Sequence, residues 1–127
     1  MKKKVRILIV EGEEILAEYY RTYFKGNDNL DIVVATNMLS AEAEIMRENP
    51  LAILMGTRIP AISGEEIPPD MTTDALIRKI KKEHPYIQLW GASAVHDFYR
   101  RLKNAGCSMV FSKKADAIKE LNKKFGH

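Results

Sequence analysis

Cysteine is nearly absent: Cys107 is the only one in 127 residues. A single thiol excludes an intrachain disulfide, and with it a disulfide-built secreted scaffold. Long apolar runs are absent too, and none approaches the roughly 18 residues that a membrane span needs. Met1-Lys2-Lys3-Lys4 carries the charge of a signal peptide, but the apolar run behind it ends at Val10, and Glu11, Glu13 and Glu14 follow. No secretory leader is expected, and the chain reads as cytoplasmic. Seven glycines and five prolines are too few for a low-complexity or collagen-like chain. His84, His96 and His127 stand apart and form no H-x-x-x-H pair, so no metal site is expected. No G-x-G-x-x-G or G-x-x-x-x-G-K-[ST] pattern occurs, and no cofactor is expected. Twenty Lys plus Arg against seventeen Asp plus Glu leave a net charge of +3. The basic residues are spread over several segments, as on a solvated surface, and do not predict nucleic-acid binding by the domain itself.

What the chain does contain is a regular alternation. Val5-Arg6-Ile7-Leu8-Ile9-Val10 is short and β-branched, the pattern of a strand buried on both faces. Residues 13–24 have helical spacing through Leu16, Tyr19, Tyr20, Tyr23 and Phe24, with acidic residues in the first turn. A second strand is predicted over 31–36 and a second helix over 38–48, capped by Asn37 and ended by Pro50. Residues 51–55 form a third strand. Thr72 or Thr73 can cap a third helix that reaches about Lys82, and Ile87 to Trp90 is a fourth strand. Ser93 can cap a fourth helix, whose inner face is Phe98, Leu102 and Ala105 and which Gly106 ends. Residues 109–111 and 116–125 complete the chain as strand and helix. Five βα units in one domain, 1–127, without internal repeat or linker, imply an α/β doubly wound fold: a five-stranded parallel sheet with helices on both faces. Function in such sheets sits at the carboxyl ends of the strands.

Those ends carry a family likeness. Gly56-Thr57-Arg58-Ile59-Pro60-Ala61-Ile62-Ser63-Gly64 follows a buried strand and has a proline four residues after Gly56 and a glycine four further on. Asn104-Ala105-Gly106-Cys107-Ser108-Met109-Val110-Phe111-Ser112-Lys113 and Ile7-Leu8-Ile9-Val10-Glu11 are the second and third pieces. Over nearly its whole length the chain resembles a response-regulator receiver domain, with the flavodoxin-like, CheY-like (βα)5 fold. That resemblance implies two-component or phosphorelay signalling, with a phosphoacceptor Asp, two Mg²⁺-binding acids, a Ser or Thr hydroxyl, a switching aromatic and a lysine. Gly56 stands at the acceptor position, and glycine has no nucleophile. Glu11 keeps the first acid, Gly12 replaces the second, Gly91 the hydroxyl and Val110 the aromatic. Lys113 matches the lysine, and a Glu11–Lys113 salt bridge is expected to remain across the strand ends.

The pattern is that of a pseudo-receiver: a non-enzymatic, phosphorylation-independent protein-protein interaction module. Its implied partners are a kinase, an output domain or itself as a homodimer; no membrane partner is expected. The alternatives are a residual phosphoacceptor and a small-ligand sensor at the degenerate pocket of Glu11, Gly12, Gly56, Gly91 and Lys113. His96, Tyr99, Arg100, Lys103, Val110 and Lys119 form the expected interface, since an exposed Tyr beside Arg has hot-spot composition. Of Tyr19, Tyr20 and Tyr23, one is expected at the surface. The extra length at 64–71, with Pro68 and Pro69, is read as a stiff loop that covers the pocket or presents a contact surface. Cys107 is read as an inert, partly buried thiol.

Overall fold

A computed structural model describes residues 4–69 and 71–126; Met1, Lys2, Lys3, Asp70 and His127 lie outside the described residues. The elements run β1 (Val5–Val10), α1 (Glu14–Phe24), β2 (Leu30–Ala35), α2 (Met38–Arg47), β3 (Ala52–Met55), α3 (Asp74–Glu83), β4 (Gln88–Ala92), α4 (His96–Ala105), β5 (Met109–Phe111) and α5 (Lys114–Phe125). The strands form one parallel sheet in the order β2-β1-β3-β4-β5. The chain steps outward from β1 to β2 and then crosses back through β3, so the switch in direction falls between β1 and β3. At such a point the loops that leave neighbouring strands part and open a crevice.

Alternation along the strands builds two cores. Ile7, Ile9, Leu54 and Trp90 point to the face covered by α1 and α5, through Tyr20, Phe24, Ile118, Leu121 and Phe125. Leu8, Val10, Ile53, Met55 and Leu89 point to the other face, covered by α2, α3 and α4 through Ile45, Ile77, Ile80 and Leu102. Each fully buried Ile or Leu contributes roughly 1.5–3 kcal/mol, which fixes both helix layers against the sheet.

Asn37 caps α2 as expected, its Oδ1 accepting from the Ser40 amide at 2.8 Å. Gly106 ends α4 with φ 130°, a left-handed conformation that favours glycine. Other expected caps are corrected. Ser93 lies three residues ahead of α4 and its Oγ accepts from the Val95 amide at 3.1 Å, so it closes a turn rather than a helix. Neither Thr72 nor Thr73 caps α3 with its side chain, because both hydroxyls bond elsewhere. The last helix starts at Lys114, two residues before the predicted Asp116. On α4, Leu102 and Ala105 are buried, while Phe98 is only partly so.

Candidate functional site

The carboxyl ends of β1, β3 and β4 meet the first turn of α5 around Glu11. The Glu11 amide donates to Ala35 O at 2.9 Å, which carries the ladder one residue past β1 and sets the side chain inside. Glu11 is 4% exposed, and three donors reach its carboxylate: Lys114 Nζ at 2.6 Å, the Glu13 amide at 3.2 Å and the Tyr20 hydroxyl at 3.3 Å. Burial, reinforced by the Glu11 charge, pushes the Tyr20 phenol above its ordinary range, so Tyr20 remains a hydrogen donor.

Lys114 therefore takes the place expected for Lys113. Lys113 is exposed, and its carbonyl accepts from the Asp116 and Ala117 amides as α5 begins. Helix entry turns successive side chains about 100° apart. The turn carries Lys113 outward and Lys114 over the strand ends.

Gly12, Gly56 and Gly91 are packed closed. A Cβ at Gly12 would lie 2.8 Å from Arg58 O and 3.2 Å from Pro60 Cδ. At Gly56 it would lie 3.1 Å from Val10 O and 3.3 Å from Ile59 Cδ1. Gly91 was expected just after β4 but lies inside it, in register with Met55 and Val110. A Cβ there would meet Leu102 Cδ1 at 2.7 Å and Cys107 Sγ at 3.3 Å. The five expected pocket positions are thus divided. A cavity of about 170 Å³ is lined by Glu11 and Gly56 with Arg58, Ser93 and Lys114, but not by Gly12, Gly91 or Lys113.

Arg58 went unrecognised in the sequence. Its Nη1 donates to the carbonyls of Pro68 (2.8 Å), Pro69 (3.0 Å) and Met71 (2.6 Å), and Nη2 to that of Ile67 (3.3 Å). The guanidinium also sits 6.0 Å from the centre of the Phe98 ring. One side chain after β3 thus pins the extra loop and rests it against α4. Proline supplies a carbonyl but no amide, so a loop with Pro68-Pro69 has surplus acceptors. That surplus beside an arginine was the available signal. Behind the loop, Thr73 Oγ1 donates to Gly56 O at 2.7 Å. Asp74 accepts from Thr72, Arg78 and Arg101, and so ties α3 to α4. Burial disfavours its charge, but these bonds prevail and hold its carboxyl below the ordinary range.

Of the expected interface, His96, Arg100, Lys103 and Lys119 are exposed. Tyr99 is half-buried and, with Ser93, Ala94, His96 and Ser112, lines a shallow recess. Val110, also half-buried, packs against the core beneath α4. Two tyrosines of α1, Tyr19 and Tyr23, reach the surface instead of one, while Tyr20 is buried. Cys107 is buried, and loss of solvation pushes its thiol up to about 12, which keeps it protonated and unreactive.

No protein-family model matches the sequence, and no curated protein does. Solved structures do. A CheY-like response regulator receiver domain protein from Methanospirillum hungatei JF-1 superposes with a TM-score of 0.73 over 97% of this chain and 94% of its own, at 20% identity. The fold is that of response-regulator receiver domains. A DNA-binding response regulator of the LuxR family from Staphylococcus aureus gives 0.74 at 16% identity, covering 97% of this chain and 99% of its own. NtrX from Brucella abortus gives 0.73 at 18% identity over 97% of this chain, and this chain spans only 27% of NtrX.

A receiver holds Mg²⁺ beside its phosphoacceptor, and the residues here do not fit that ion. Mg²⁺ needs octahedral oxygen ligands, usually from carboxylates. Among the described residues Glu11 is the one carboxylate at the strand ends that is buried, and an ammonium already occupies it. Among the described residues, no three His, Cys, Asp or Glu side chains cluster to hold a metal. Nor, among them, is any helix long and apolar enough to cross a membrane.

Proposed function

We propose that this chain is a pseudo-receiver of two-component signalling: a non-enzymatic module that offers a fixed surface to a protein partner without phosphorylation. The observation that carries the reading is the closed packing at Gly12, where even a Cβ would press on the Arg58 carbonyl at 2.8 Å. The second metal-binding acid is not merely substituted; the backbone fills its space. Lys114 on Glu11 supports the same reading, since it supplies internally the positive charge that a cation would bring.

The surface we assign to the partner is α4 with the start of α5. Arg100, Lys103, Lys113 and Lys119 make it cationic, and Tyr99 beside His96 gives it an aromatic anchor. A kinase or output domain with an acidic face would complement it. The small-ligand reading has less support, because the 170 Å³ cavity is smaller than the roughly 300–1,000 Å³ of ligand pockets.

The test is an amide-resolved NMR titration with Mg²⁺ and beryllofluoride. Unchanged Glu11, Gly56 and Lys114 resonances are expected. Saturable shifts that spread from these residues to Tyr99 would overturn the proposal.

A further inference from the structure

The outer face of α1 takes no part in the site, yet its pattern is specific. Ile15, Tyr19 and Tyr23 are 85%, 48% and 39% exposed and fall at i, i+4 and i+8. Beside them runs a second stripe: Glu14, Glu18, Arg21 and Lys25, all exposed. At 100° per residue Glu14, Glu18 and Arg21 fall within an arc of about 60°, and the apolar three within about 80° next to it, while Lys25 follows as the C-cap of α1. The charged stripe reads acid, acid, base, base from the N-terminal end to the C-terminal end.

That order is self-complementary in one orientation only. In an antiparallel helix pair each flanking stripe meets its own copy running the other way, and flanking charges set partner and direction. With the two-fold axis between positions 19 and 20, Glu14 faces the partner's Lys25 and Glu18 faces the partner's Arg21. A parallel pair would set the charged stripe against the partner's apolar stripe. In the single chain Arg21 turns back onto Glu18, while Glu14 and Lys25 have no ion-pair partner among the described residues. The exposed Glu18–Arg21 pair is weakly held and free to exchange. The other helix with bare apolar residues, α2, lacks this pattern: Leu39 and Met46 are exposed, but Glu42 is committed to Lys79 and Glu44 to Arg6 and Arg47.

We propose that α1 is a homotypic docking helix, which pairs antiparallel with α1 of a second copy through Ile15, Tyr19 and Tyr23. The interface is isologous, so it closes as a dimer. A helix of 11 residues spans about 16 Å and buries less than a standard interface, which implies a reversible dimer with Kd of about 10 μM to 1 mM. The inference is independent of the α4 surface and of the phosphorylation reading.

Sedimentation equilibrium from about 10 μM to 1 mM tests it. The wild type is expected to self-associate. E14K/E18K, with four positive charges in the stripe, and R21E/K25E, with four negative, are each expected to stay monomeric with unchanged far-UV circular dichroism. A 1:1 mixture of the two should form a heterodimer. Ile15→Lys, which leaves the stripe intact, should also be monomeric. A wild type that stays monomeric throughout would overturn the proposal, whether or not the face binds another protein. So would association that persists in E14K/E18K and Ile15→Lys.

Discussion

Lys114 Nζ lies 2.6 Å from Glu11 Oε1 and joins the first turn of α5 to the end of β1 across the sheet. The acid is almost fully buried and the lysine about one-third exposed, so the pair is unequal. Removing Lys114 leaves a buried carboxylate with the Glu13 amide and the Tyr20 hydroxyl but no counter-charge, whereas removing Lys113 breaks no ion pair among the described residues. Lys114→Ala is expected to lower unfolding free energy by about 1–3 kcal/mol. Lys113→Ala should stay within about 0.5 kcal/mol of wild type. Urea melts of the two variants check this, and equal effects would count against the assignment of Lys114 to the site.

The glycines give a second prediction. Gly56→Asp adds a carboxylate to the cavity that Glu11 lines, and its Cβ would lie 3.1 Å from the Val10 carbonyl, so it is expected to destabilise the fold. Gly91→Ala introduces no charge and isolates the packing effect, since Leu102 Cδ1 must move from 2.7 Å. Overpacking of this kind costs about 1–3 kcal/mol. A thermal or denaturant midpoint for Gly91→Ala at or above wild type would show that Leu102 yields freely.

Arg58 predicts the behaviour of the 64–71 loop. Arg58→Ala removes the donors that hold the carbonyls of Ile67, Pro68, Pro69 and Met71. Limited proteolysis within this loop should accelerate at least tenfold, while the sheet amides keep their hydrogen-exchange protection. Arg58→Lys should not restore resistance, because a single ammonium cannot span four acceptors as a planar fork does. Full resistance in Arg58→Lys would place the restraint in charge rather than geometry.

Asp74 supplies a pH test. Its carboxyl is held below the ordinary range, so its stabilising contribution is present at neutral pH and lost as pH falls through the folded-state value. Asp74→Asn is expected to cost about 1–2 kcal/mol at pH 7. Its deficit should narrow steadily below about pH 4, the unperturbed Asp region. A deficit independent of pH would assign the loss to shape rather than charge.

Much of this fold was legible because burial dictates it. The short apolar strands at Val5–Val10 and Met109–Phe111 and the helical spacing of Tyr20, Phe24, Leu121 and Phe125 have one compatible arrangement. The end of β4 was not legible, since Gly91 and Ser93 are ordinary turn residues; only Leu102, from a distant helix, explains a glycine inside that strand. The choice between Lys113 and Lys114 depends on where α5 starts, and two adjacent lysines carry no signal for it. The clamp at Arg58 was missed because its acceptors are backbone carbonyls; Pro68-Pro69 signals a surplus of them but not which side chain takes it up.

That clamp has a further consequence. A guanidinium that grips main-chain oxygens is indifferent to the side chains attached to them. The segment it holds can exchange its outward residues, Glu65, Glu66 and Pro69 among them, and keep its path. Related chains that retain the arginine are then expected to share the shape of this loop while diverging in its lettering, much as antibody loops vary on a constant frame.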